Sequence, residues 1–121
     1  MKTLDQFIAQ IKSHPEAAEF QDVITIIDAN YHYSATRFVN GPAEDCVINA
    51  AGKNEGSCKT FAFAQLQQLD EKQTLNCFGH YYRDEVLLHP DRSDHANIRT
   101  FMKYGWKTIK FDGTALTRKH G

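Results

Sequence analysis

Apolar residues recur at helical spacing along most of the chain. Leu4, Phe7, Ile8 and Ile11 lie on one helical face, and Thr3 with Gln6 forms a capping box in front of them. Ser13-His14-Pro15 ends this helix, because proline disfavours helical geometry in the residue before it; Pro15 can then open the next. Phe20, Val23, Ile24, Ile27 and Tyr31 make a second stripe that frays at Asp28-Ala29-Asn30. Tyr31 to Val39 is aromatic and β-branched and ends at the turn signal Asn40-Gly41-Pro42. Trp106 to Phe111 alternates apolar with polar residues, so these two segments predict strands that pair. Such a ribbon needs helices over one face.

Between these segments the pattern is helical again. Val47 to Ala51 predicts one short turn, and Gly52, Asn54 and Gly56 a loop. Ser57 predicts the N-cap of a helix with Cys58, Phe61, Ala62 and Leu66 on one face. Asp70 and Gln73 form another capping box, leading to Leu75, Phe78, Tyr82 and Val86. Gly79 either ends that helix or marks a close contact within it. After Pro90-Asp91, Ser93 predicts the cap of a last helix that turns Ile98, Phe101 and Met102 inward and stops at Gly105. The expected fold is mainly α. It is a compact single-domain bundle of about five helices over residues 1–121, with room for a small two-stranded β element.

A chain of 121 residues, 41% of them hydrophobic, suits one core. Fourteen basic and fifteen acidic residues give a net charge of -1, so no overall field draws the protein to nucleic acid or an anionic membrane. Cys46, Cys58 and Cys77 form no C-x-x-C pair and leave one over, which argues for reduced thiols. The first residues carry charge where a signal peptide needs an apolar run, and no window reaches the ~18 apolar residues of a membrane span. These features predict a cytoplasmic protein, with export by a route lacking a cleaved signal left open. They specify no oligomeric state.

The polar groups able to do chemistry concentrate between Asn54 and Trp106. Gly52 to Thr60 is a glycine-rich turn entering a helix start, whose free N–H groups and positive dipole end suit phosphate or carboxylate; Gly56, Ser57 and Lys59 are the expected anion-binding residues. The spacing is not that of a nucleotide-binding P-loop, since three residues separate the glycines and two separate Gly56 from Lys59. Cys58, beside Lys59 in the first helical turn, is expected to have a lowered pKa. With His95 as base and Asp94 or Asn97 to orient it, or with His80 and Asp84, Cys58 makes a candidate nucleophile if the fold brings these groups together; His95 and Asp94 are the favoured pair. His80, Asp84, His89, Asp91, Asp94 and His95 carry metal-donor atoms but match no H-E-x-x-H spacing, so no metal ligand is assigned and no cofactor is expected. Tyr81, Arg83, Asn97 and Arg99 are aromatic and forked donors of the kind enriched at recognition surfaces, with Tyr82 assigned to the core.

These motifs carry a resemblance. Asn54-x-Gly56-Ser57-Cys58-Lys59-x-Phe61, Phe78-Gly79-x-Tyr81-Tyr82-Arg83, Asp94-His95-x-Asn97-Ile98-Arg99-x-Phe101, Gly105-Trp106 and Ile109-x-Phe111-x-Gly113 closely resemble the HopJ type III effector family. Glu19-Phe20-Gln21-Asp22 and Ile27 to Tyr31 extend the match over nearly the whole chain. The resemblance implies a bacterial protein, either exported through a type III system without a cleaved signal peptide or acting inside the producing cell, and it transfers no catalytic residue or cofactor. His80 departs from it, since that position is commonly acidic in the family. The expectation is therefore binding of a protein partner or a small anionic ligand; the alternative is a cysteine-dependent hydrolase or transferase with Cys58 as nucleophile.

Overall fold

The computed structural model describes residues 2–119. Its helices are α1 (Leu4–Ser13), α2 (Phe20–Asn30), α3 (Glu55–Leu66), α4 (Glu71–Asn76) and α5 (Ala96–Tyr104). Both capping boxes form: Thr3 starts α1 and Asp70 starts α4, each side chain accepting the N–H of the glutamine three residues on. α1 and α2 bury single stripes, Phe7 and Ile11 on one and Val23, Ile26 and Ile27 on the other. α3 is different. It buries Thr60, Phe61, Ala62, Phe63 and Ala64 in succession, the mark of a helix surrounded by the rest of the fold.

The aromatic core grows from α3. Phe61 meets Phe101, Phe78, Phe38 and Trp106, so this one ring joins helices from both sides to a strand. The Trp106 indole N–H donates to the Leu69 carbonyl at 2.8 Å, satisfying the polar end of an otherwise apolar side chain.

Gly79 ends the helical path that begins at α4 and also marks a close contact. Its φ is +60°, and a Cβ there would stand 2.6 Å from the backbone nitrogen of Phe20. Tyr81–Val86 then winds as a π-helical turn, with the Leu87 N–H bonding the Tyr82 carbonyl five residues back. Tyr82 is half-buried against the core.

The strands number more than a single ribbon. β1 (Tyr31–Tyr33) pairs antiparallel with β5 (Leu116–Arg118). β2 (Phe38–Asn40) stands between β3 (Val47–Asn49) and β4 (Lys110–Phe111), with Phe38 opposite both Asn49 and Phe111. The expected pairing of the two distant segments is present at β2 and β4. Val47 to Asn49, expected as a helical turn, is a strand instead: Ile48 points to solvent at 60% exposure while Asn49 is buried, the alternation of a pleated edge. The expected caps also move. α3 begins at Glu55, with Asn54 at its N-cap and Ser57 already inside the helix, and α5 begins after His95 rather than Ser93. Gly105, at φ +68°, ends α5 as expected. No helix of the described residues is long and apolar enough to cross a membrane.

Candidate functional site

The starts of α3 and α5 open onto one cavity of about 420 Å³. Asn54, Gly56 and Ser57 contribute from the first, and His95, Ala96, Asn97 and Ile98 from the second. Phe20, Phe78 and Tyr81 supply an aromatic wall, with Val47 beside them. Phe20 stacks on Phe78 at 6.2 Å and meets the Tyr81 ring edge-on at 5.4 Å. A Cβ on Gly56 would lie 3.0 Å from the Phe20 ring, so the glycine lets this wall close against α3.

Both helix starts share an uncommon local geometry. Asn54 and His95 occupy the N-cap positions in left-handed backbone conformation, at φ/ψ of 51/47° and 53/47°, and neither start has a side-chain cap. A first helical turn leaves its N–H groups without intrahelical partners. Here two such sets adjoin one cavity, and among the described residues no carboxylate side chain lines it. The starts are tied together by buried asparagines: Asn49 Oδ1 accepts from Asn54 at 2.7 Å and from Asn97 at 2.8 Å, and Asn40 donates to the Asn97 carbonyl at 2.8 Å.

Beside the cavity, His95 Nε2 lies 2.7 Å from Glu85 Oε1 and 4.0 Å from Asp94 Oδ2. Asp94 is fixed by Arg99, whose Nη2 donates to Oδ1 at 2.8 Å and whose Nε donates to the Asp94 carbonyl at 2.6 Å. The hydrogen bond from Arg99 holds the Asp94 carboxyl below its usual range, with the charges of His95, Arg99 and Arg92 acting in the same direction.

Of the residues singled out from the sequence, the cavity gathers Gly56, Ser57, Tyr81, His95 and Asn97. It does not gather the others. Lys59 pairs with Asp28 at 2.9 Å and lies over the Tyr33 ring, so its charge is spent away from the helix start. Arg83 turns inward to the carbonyls of Asn76 and Ala18 and also approaches Glu19 at 3.5 Å. Arg99 lines a different groove, with Val86, Leu87 and Met102.

Cys58 differs most from expectation. It is 1% exposed, is absent from the cavity wall, and directs its Sγ at the Thr36 carbonyl 3.6 Å away, while His95 is engaged with Glu85. Burial pushes the thiol pKa up, outweighing the lowering effect of hydrogen bonds with Tyr33 and Thr36. Cys77 is raised to about 12 by burial. Disulfide-exchange labelling of the native protein near pH 8 should therefore modify Cys46, the partly exposed thiol, well ahead of Cys58 and Cys77. Preferential labelling of Cys58 would restore a covalent mechanism.

Sequence reasoning missed Asn54, Phe20 and Phe78 as cavity residues and Glu85 as the partner of His95. Phe20 and Phe78 read only as apolar stripe positions, and the glycine-rich turn was the one signal that pointed toward Asn54.

A small, mostly helical domain with two uncapped helix starts on one cavity thus defines the molecule. Residues 4–116 match the HopJ type III effector proteins, and the chain belongs to that family. It is also similar to a protein of unknown function, VPA0580, whose crystal structure aligns with a TM-score of 0.92 at 46% identity, covering 98% of this chain and 95% of that one. No curated protein matches the chain.

Proposed function

We propose that this HopJ-family protein acts by non-covalent binding, and that the cavity takes a small ligand joining an anionic group to an apolar or aromatic part. The observation that carries this reading is the opening of two uncapped helix starts onto one space without a carboxylate in its wall. Free first-turn N–H groups donate to phosphate or carboxylate oxygens, and each helix dipole favours negative charge there by about 0.3–1 kcal/mol. Phe20, Phe78 and Tyr81 offer the apolar remainder a face. The family's description as type III effectors supports export through such a system as its route to a target cell.

Phenyl phosphate and benzoate are suitable probes, titrated calorimetrically into the full chain. One site per chain is expected, and Ser57→Asp should weaken it at least about tenfold by placing a carboxylate in the cavity wall, with little change in thermal midpoint because acidic residues suit a first helical turn. Absence of millimolar binding by either probe, or unchanged affinity in the variant, would refute the reading.

A further inference from the structure

We propose that His95, Glu85 and Asp94, with His80 as a fourth donor, form a binding site for a divalent transition cation of the zinc type. The site adjoins the cavity through His95 but does not rest on the anion-binding reading, because the cation alone is the probe. One donor atom from each of Glu85, Asp94 and His95 lies within 4.8 Å of the others. His80 Nε2 adds a second imidazole 3.7 Å from the other Glu85 oxygen, Oε2. Zinc bonds of about 2.0–2.2 Å in a tetrahedron place ligand atoms roughly 3.3–3.6 Å apart. Glu85, Asp94 and His95 already stand near that spacing, with His95 Nε2 2.7 Å from Glu85 Oε1 and 4.0 Å from Asp94 Oδ2. His80 reaches the set through Glu85 Oε2 and has to swing toward the other two donors to complete the tetrahedron.

The backbone explains why these donors meet. His80 and Glu85 are five residues apart, a separation that a π-helical turn brings onto one face and an α-helix would spread apart. Asp94 and His95 lie on the segment before α5, with His95 at its N-cap and held at φ +53°, a costly conformation for a residue with a side chain. Arg99 occupies Asp94 Oδ1 and leaves Oδ2 as the oxygen nearer His95, the way an outer partner orients a ligating carboxylate. Two imidazoles with two carboxylates suit zinc, cobalt or nickel rather than calcium or magnesium, which prefer oxygen donors throughout. The side chains are 26% exposed at His95 and 40% to 50% exposed at Glu85, Asp94 and His80, so an ion can reach them.

The test titrates metal-free full-length protein with Zn²⁺ by calorimetry and with Co²⁺ by visible absorption. One ion per chain is expected, with a cobalt spectrum of tetrahedral intensity. Glu85→Gln and His95→Asn each remove a direct ligand and should weaken binding by at least about tenfold, the least that loss of an outer partner costs. His80→Asn, at the most exposed donor, should weaken binding less and keeps the test decisive if either of the other variants unfolds. His89→Asn, on the neighbouring exposed loop, should leave binding unchanged. Absence of stoichiometric binding would overturn the proposal, as would binding that survives in Glu85→Gln, or in His80→Asn with an unaltered cobalt spectrum, because other surface histidines would then hold the ion.

Discussion

Phe61→Ala should lower the free energy of unfolding by about 3–5 kcal/mol, enough to remove about a fifth or more of the stability of an ordinary domain, which is about 5–15 kcal/mol. Phe61 is fully buried, and its ring centroid lies 5.0 Å from that of Phe101, 5.3 Å from Phe78, 5.9 Å from Phe38 and 6.3 Å from Trp106. Those partners belong to α5, the segment after α4, β2 and the turn after Gly105, so the truncation opens a void that several elements would have to move together to close. A large residual cavity is the expected result, which places the cost toward the upper part of the range. Urea unfolding followed by far-ultraviolet circular dichroism measures it. Leu66→Ala, on the same helix but 54% exposed, should cost no more than about 1 kcal/mol and serves as the control. A loss at Phe61 no greater than at Leu66 would show that the core is not organised around this ring.

What the sequence made legible is what local rules determine. The capping boxes at Thr3 and Asp70, the stop at Gly105 and the apolar stripes of α1 and α2 each depend on residues within a few positions, and all are present. The pairing of Phe38 and Val39 with Phe111 and Lys110 was readable because both segments alternate and both end at turn signals. β3 was not readable. Val47-Ile48-Asn49 is too short to show a period, and Asn49 is drawn inward by Asn97, 48 residues away. The site divides in the same manner. Glycine and serine at a helix start indicated where a cavity would open, whereas the fate of each charge depended on distant partners. Lys59 found Asp28, Arg83 found the carbonyl of Ala18, and His95 found Glu85. Cys58 followed the rule for a thiol in a first helical turn until burial, which sequence position does not reveal, reversed the direction of its pKa.

Asn49→Leu should produce the other large effect, and it joins stability to the proposed function. The side chain is 1% exposed and sits between the two helix starts, accepting from Asn54 and Asn97 through Oδ1 and donating to Asn97 Oδ1 at 3.1 Å through Nδ2. Leucine is close in size but returns none of these bonds. The buried Asn97 amide is left without its acceptor, at about 1–3 kcal/mol, while the exposed Asn54 amide can turn to water, so a total loss of roughly 1–3 kcal/mol is expected. Asn49 does not line the cavity, yet Asn54 and Asn97 do. Their release should let the starts of α3 and α5 separate and weaken phenyl phosphate binding at least about tenfold at a temperature where the variant remains folded. Ile48→Ala, one residue away and exposed, should change neither quantity appreciably. A folded Asn49→Leu protein with full stability would refute the structural role of the asparagine cluster. One that is destabilised but binds the probe normally would separate that cluster from the site and leave the two helix starts positioned by backbone packing alone.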